Sequence, residues 1–146
     1  MKGEGVMRID LSKDQFLTLV KLLQLGNWPL GLTEANHGLA EKAEDLEQYI
    51  FSLARDFEAG EEIYFDNEEE YYYLSDSLKE TVEAIIDEYE EDVFWDQLTH
   101  KLATIDLKRE VDFNSTIEEK INRLFQLKAR YEKYFLENGL DKLDLL

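Results

Sequence analysis

The stretch that decides the fold runs from Ser77 to Ile105 and reads SLKETVEAIIDEYEEDVFWDQLTHKLATI. Ser77-Leu78-Lys79-Glu80 has the pattern of a capping box, in which a serine hydroxyl and a glutamate carboxylate satisfy each other's backbone N–H groups. A helix is therefore predicted to start near Ser75 or Ser77. At 100° per residue, Leu78, Val82, Ile85, Ile86, Tyr89 and Val93 point one way, whereas Phe94, Leu98, Leu102 and Ile105 point roughly 165° away. Either one helix of about 50 Å is packed on both sides, or two helices meet near Glu90 to Asp92. Ordinary helix lengths predict two.

Around this stretch, no glycine or proline occurs from Glu61 to Asn138, so nothing in the local chemistry interrupts helix there. Upstream, Ser12-Lys13-Asp14-Gln15 reads as another capping box and predicts a helix ending before Gly26, with Phe16, Leu19, Val20 and Leu23 on its apolar face. Trp28-Pro29, between Gly26 and Gly31, is then expected in an inter-helix turn, with the indole plugging the core. The cleanest stripe follows. Leu39, Ala43, Leu46, Ile50, Leu53 and Phe57 fall within about 40° of one direction, and Glu41, Glu44, Asp45, Glu47 and Asp56 take the other faces. Gly60 closes that helix. Ile63-Tyr64-Phe65 and Tyr71-Tyr72-Tyr73 flank polar residues 66–70 as a short hairpin. A last helix is capped at Asn114 or Ser115, carries the stripe Ile117, Ile121, Leu124, Tyr131 and Phe135 with Lys128 snorkelling from it, and closes at Gly139. Residues 7–11 and 143–145 alternate like short strands that pair the termini, and residues 1–6 form a loose extension.

The chain of 146 residues is 44% hydrophobic and 12% aromatic, enough to build a core, and its charge is −18. The fold expected is a single all-α or mainly α domain: a bundle of four to six helices with at most a small two-stranded β-ribbon. The charge is concentrated. Residues 41–96 hold 21 acids against three bases, Lys42, Arg55 and Lys79, while both flanks are neutral. Phosphate backbones and anionic lipid surfaces would be repelled, so neither direct nucleic-acid binding nor membrane binding is expected. No apolar run is long enough to span a bilayer, and the N-terminus has no apolar signal segment, which predicts a cytoplasmic protein. Without cysteine, disulfides, thiolate metal sites and cysteine nucleophiles are excluded.

Enzyme signatures are absent: there is no phosphate-binding glycine loop, G-x-S-x-G elbow or H-E-x-x-H helix, and no cofactor is expected. Glu34-Ala35-Asn36-His37 has the E-x-x-H spacing that presents a carboxylate and an imidazole on one helix face. Joined to Asp96 and His100, it defines a candidate zinc, manganese or iron site and hence a metal-dependent helical-bundle enzyme. Residues 66–70 fail the EF-hand pattern, because Tyr71 stands where the loop needs glycine.

Five carboxylates occur in the six residues Asp87, Glu88, Tyr89, Glu90, Glu91 and Asp92, followed by Val93-Phe94-Trp95. Such a run repels itself on a helix. Its simplest role is a solvated face kept for solubility, with Phe94 and Trp95 in the core. Its functional role is a docking surface for a basic protein, with Asp87, Glu88, Glu90, Glu91 and Asp92 steering the partner and Trp95 anchoring it. The extreme form is a nucleic-acid mimic that inhibits a DNA- or RNA-binding protein. The protein is expected to act as a monomer or homodimer.

Gly26-Asn27-Trp28, Tyr49-Ile50-Phe51-Ser52-Leu53-Ala54, Asp92-Val93-Phe94-Trp95-Asp96-Gln97-Leu98 and Glu137-Asn138-Gly139 resemble small acidic bacterial proteins of uncharacterised function. The resemblance implies a stand-alone cytosolic domain of bacterial type. It carries over no activity and no site residue.

Overall fold

A computed structural model describes residues 8–110 and 115–141. In chain order they form α1 (Lys13–Leu32), α2 (Leu39–Ser52), β1 (Ile63–Asp66), β2 (Tyr71–Leu74), α3 (Asp76–Glu110) and α4 (Ile117–Asn138), with 3₁₀ turns at Glu34–Asn36 and Ala54–Phe57. Among the described residues, four α-helices and one small antiparallel ribbon make the fold mainly α, as expected. The extension 1–6, Met7 and the strand expected at 143–145 lie outside the described residues, and residues 8–11 form no strand. The chain divides into two compact units, Met1–Ile86 and Asp87–Leu146.

In the first unit, α1 starts as predicted: the Ser12 hydroxyl accepts from the Gln15 N–H at 3.3 Å and the Gln15 side chain accepts from the Ser12 N–H at 2.9 Å. It does not stop at Gly26. The helix continues through Gly26 and Pro29 to Leu32, so Trp28-Pro29 is helical and not a turn. One interior glycine costs a helix only about 1 kcal/mol. Asn27 offsets that cost by donating from Nδ2 to the Glu47 carboxylate at 2.6 Å, and Pro29, which has no N–H to give the carbonyl four residues back, stands in the final turn, so little helix follows it. The reversal into α2 uses His37 and Gly38, both with positive φ, a conformation that glycine adopts without strain.

The buried face of α2 differs from the predicted stripe in part. Leu39 and Leu46 are exposed, whereas Glu47 and Phe51 are buried; Ile50, Leu53 and Phe57 of the stripe do pack against the core, the last two beyond Ser52, where α2 ends short of the predicted Gly60. The core of this unit gathers Phe16, Val20, Phe51, Ala54, Ala59, Ile63, Leu74 and Leu78, with Phe57 stacked on Phe16 at 4.3 Å. The hairpin forms where the sequence places it, with Ile63 opposite Leu74 and Asp66 opposite Tyr71. Its turn is held by the Asp66 carboxylate, which accepts from the N–H groups of Glu68 and Glu69. The Gln48 side-chain amide of α2 exchanges two hydrogen bonds with the backbone of Tyr72, at 2.8 and 3.1 Å, and so occupies an edge that would otherwise be open.

Helix α3 is one helix of 35 residues, about 52 Å at 1.5 Å per residue, and not the two that ordinary lengths predict. Ser75 accepts from the Leu78 N–H through its hydroxyl, so of the two predicted starts the helix takes Ser75, two residues before Ser77. The change of apolar face does not require a break: Leu78 and Val82 are buried in the first half of the helix and Thr99 and Ala103 in the second, while Phe94 and Ile105 are both 46% exposed. Thr99 can be buried because its hydroxyl donates within the helix to the carbonyls of Trp95 and Asp96.

In the second unit, α4 pairs with the part of α3 after Ile86. Its cap is Thr116, one or two residues later than predicted, with a complete capping box to Glu119. Leu127 and Phe135 are its buried side chains, while Ile117 and Ile121 of the predicted stripe are exposed. Asp106 receives both Arg130 and the Tyr131 hydroxyl, and Glu110 receives Arg123, which fixes the two helices antiparallel. Gly139 ends α4 as predicted. Among the described residues, no helix is long and apolar enough to cross a membrane.

Candidate functional site

The acidic run lies in the middle of α3, and each residue from Asp87 to Asp92 is exposed. Helical spacing puts Glu88, Asp92, Trp95 and Thr99 in one row. Trp95 is half-buried: its indole N–H donates to the Glu91 carboxylate at 2.5 Å, and its ring meets Phe94 edge-on at 5.0 Å and Phe135 of α4 at 5.5 Å. Phe94 and Trp95 are therefore not core residues.

Asp92, Trp95, Asp96 and Thr99 from α3 and Glu132, Phe135 and Leu136 from α4 line a groove of about 580 Å³. Its floor is aromatic and aliphatic and its rim is acidic. Leu136 lines the groove while 89% exposed. Lys128, the residue expected to snorkel, reaches Asp96 at 2.5 Å and Glu132 at 3.6 Å. Its hydrogen bond and charge hold the Asp96 carboxyl below the usual range, and the same hydrogen bond with the Asp96 and Glu132 charges raises the Lys128 ammonium. Even with Lys128 counted, Asp92, Asp96 and Glu132 leave the groove negative.

Of the six residues predicted to bind a partner, Asp92 and Trp95 line this groove, Glu91 fixes the indole, and Asp87, Glu88 and Glu90 continue the acidic surface along the helix. The α4 contribution was not predicted. Phe135 reads as core in the sequence and is buried, while Glu132 and Leu136 carry no sequence mark of a site.

The metal candidates take a different arrangement. Glu34 opens a 3₁₀ turn and His37 follows it in a left-handed conformation, both in the first unit, whereas Asp96 and His100 occupy successive turns of α3 in the second. Asp96 is already engaged by Lys128. Among the described residues, no three histidine, aspartate or glutamate side chains come together as a metal site.

A second cleft, in the first unit, centres on a residue that the sequence assigns to a solvated face. Glu47 is only 7% exposed. Burial raises its pKa above the ordinary 4.5, against the hydrogen bonds from Asn27 and Gln24 that favour the charged form. The cleft, about 430 Å³, places Glu47 with Glu44, Glu83 and Lys79 between apolar walls of Trp28, Val82 and Ile86. The Tyr71 hydroxyl donates to Glu44 at 3.0 Å, and burial together with that carboxylate pushes the phenol up to about 12. A sequence signal for this cleft did exist: Asn27 and Glu47 are polar residues adjoining apolar stripes, although neither reveals the other as its partner.

Compared with protein-family models, curated proteins and solved structures, the chain matches none of them.

Proposed function

We propose that the protein is a non-enzymatic docking module that binds a basic protein surface through the groove between α3 and α4 and the acidic run that leads into it. The observation that carries this reading is the continuity of the two: the exposed carboxylates within residues 87–92 run directly onto a groove floored by Trp95 and Phe135 and flanked by the exposed Leu136. Long-range attraction from the carboxylates accelerates encounter and selects the sign of the partner. Affinity comes from burying the aromatic and aliphatic floor, where hot spots concentrate. An apolar or basic side chain projecting from a cationic surface fits both requirements.

The test is affinity capture from a lysate of the source organism at low and moderate salt, using the parent chain, the triple variant Glu88→Gln/Glu90→Gln/Glu91→Gln, and Leu136→Ala. A basic protein retained by the parent, released by salt and lost from both variants is the expected result. Equal retention by all three proteins would remove the groove from consideration. If the retained protein binds nucleic acid and is displaced by it, the reading narrows to the mimic form of the same surface.

A further inference from the structure

Glu47 sits in an unusual position for a carboxylate. It is buried, it faces a cleft, and among the described residues no lysine or arginine comes within ion-pair distance of it. Side-chain amides alone hold it, Asn27 at 2.6 Å and Gln24. An ionised carboxylate accepts about four hydrogen bonds, so two amide donors leave acceptor capacity unused. A buried charge without a countercharge is unfavourable, and natural proteins pair such groups.

The rest of the cleft fits the same chemistry. Glu44 and Glu83 add two carboxylates, and Lys79, the lysine in the lining, is exposed and directed to Glu83 at 3.6 Å. The lining is therefore net negative, while Trp28, Val82 and Ile86 provide apolar contact for a short hydrocarbon chain. An adjoining recess of about 280 Å³ shares Gln24, Glu47, Tyr71 and Lys79 with it and adds Asp76, so carboxylates continue beyond the first cleft. An anion would be repelled here, and a neutral apolar molecule would leave Glu47 uncompensated.

We propose that this cleft binds a small aliphatic amine, with a primary ammonium group on the Glu47 carboxylate and methylene groups against Trp28, Val82 and Ile86. A linear polyamine suits it best, because further ammonium groups meet Glu44, Glu83 or Asp76 along the joined recesses. Lys79 is a resident rival for those carboxylates. This inference stands apart from the docking reading, since the cleft uses none of the residues in the α3–α4 groove.

Isothermal titration calorimetry with spermidine, butylamine and butyrate tests it on the full chain. Spermidine should bind saturably and more tightly than butylamine, and butyrate should not bind. Glu47→Gln should weaken spermidine by at least about tenfold, the scale of a lost hydrogen bond to a charged group, and Glu44→Gln by less. Lys79→Ala should tighten it. The triple variant Glu88→Gln/Glu90→Gln/Glu91→Gln removes three charges outside the cleft and should leave binding within about twofold, as expected for exposed charges screened by salt. Equal weakening by Glu47→Gln and the triple variant would show general counterion attraction and overturn the proposal. If Glu47→Gln fails to fold by circular dichroism, Lys79→Ala decides, and unchanged or weaker binding there also overturns it. Capped lysine binding as tightly as spermidine would assign the cleft to a partner's side chain instead, which overturns the free-amine reading.

Discussion

Glu47 and Glu91 are the same side chain in two different solvents. Glu91 stands on an open stretch of α3 with water around it and an indole N–H four residues on, whereas Glu47 is enclosed between α1 and α2 and relies on two amides. In water a carboxylate costs little, even in a crowded run, because solvent screens it. Inside the protein the same group must be matched by designated donors. Net charge therefore says little about where a carboxylate matters. The densest acidic run asks little of the fold, and a single buried glutamate asks more.

Four stability measurements bear on that contrast. The largest effect should come from the core beside Glu47: Phe51→Ala should destabilise by about 3–5 kcal/mol in urea titration, whereas Phe94→Ala on the exposed side of α3 should cost less than about 1 kcal/mol. Similar losses at the two sites would break the contrast. Next, Asn27→Ala removes the 2.6 Å donor to a buried carboxylate and should cost about 1–3 kcal/mol. A neutral effect there would mean that Gln24 alone suffices.

The third measurement is pH dependence. Burial holds the Glu47 pKa above 4.5, so the native state keeps that proton at pH values where the unfolded chain has lost it. Stability should rise as pH falls from neutral through the raised value, and level off near 4.5. Glu62, bonded by Lys13, and Asp96, bonded by Lys128, are held below their ordinary 4.5 and 3.8 and act in the opposite sense. Their stabilisation is present above those values and is lost as pH falls through the lowered ones. Tm should therefore climb on moderate acidification and fall in stronger acid, and Glu47→Gln should shrink the climb but keep the fall. An identical climb in the variant would shift the effect onto the exposed acids. The smallest effect belongs to the acidic run. Glu88→Gln/Glu90→Gln/Glu91→Gln should raise stability by only a few tenths of a kcal/mol per relieved pair at low salt, vanishing at high salt.

Much of the architecture is legible in the residues themselves. Ser12 with Gln15 sets where α1 begins, Gly139 where α4 ends, and the two aromatic triplets around residues 66–70 form the hairpin. These features depend on neighbours within a few positions, and local hydrogen bonding decides them. The misjudged features are those that packing settles. Gly26 reads as a stop, yet Asn27 ties that turn of α1 to Glu47, twenty residues away. The middle of α3 reads as a junction between helices because its apolar stripes diverge, yet one helix continues and leaves Phe94 and Ile105 exposed.

The candidate sites divide in the same way. The acidic run and Trp95 were visible as composition, but the floor that gives them a groove comes from Glu132, Phe135 and Leu136 on another helix. Glu47 reads as solvated surface because it lies off the apolar stripe of α2 by a single position.

The sequence by itself determined the helical content, the hairpin, three of the helix ends and the sign and location of the charge. Only the tertiary structure decided which side of each helix is buried, and with it which carboxylates face water and which face a cleft. The physical reason is that hydrogen-bonded turns and caps are set over four residues, whereas a buried face is chosen by what lies opposite it. A threonine, an alanine or an amide-bound glutamate can occupy that face where the fit allows, although the hydrophobic pattern alone would place a leucine there.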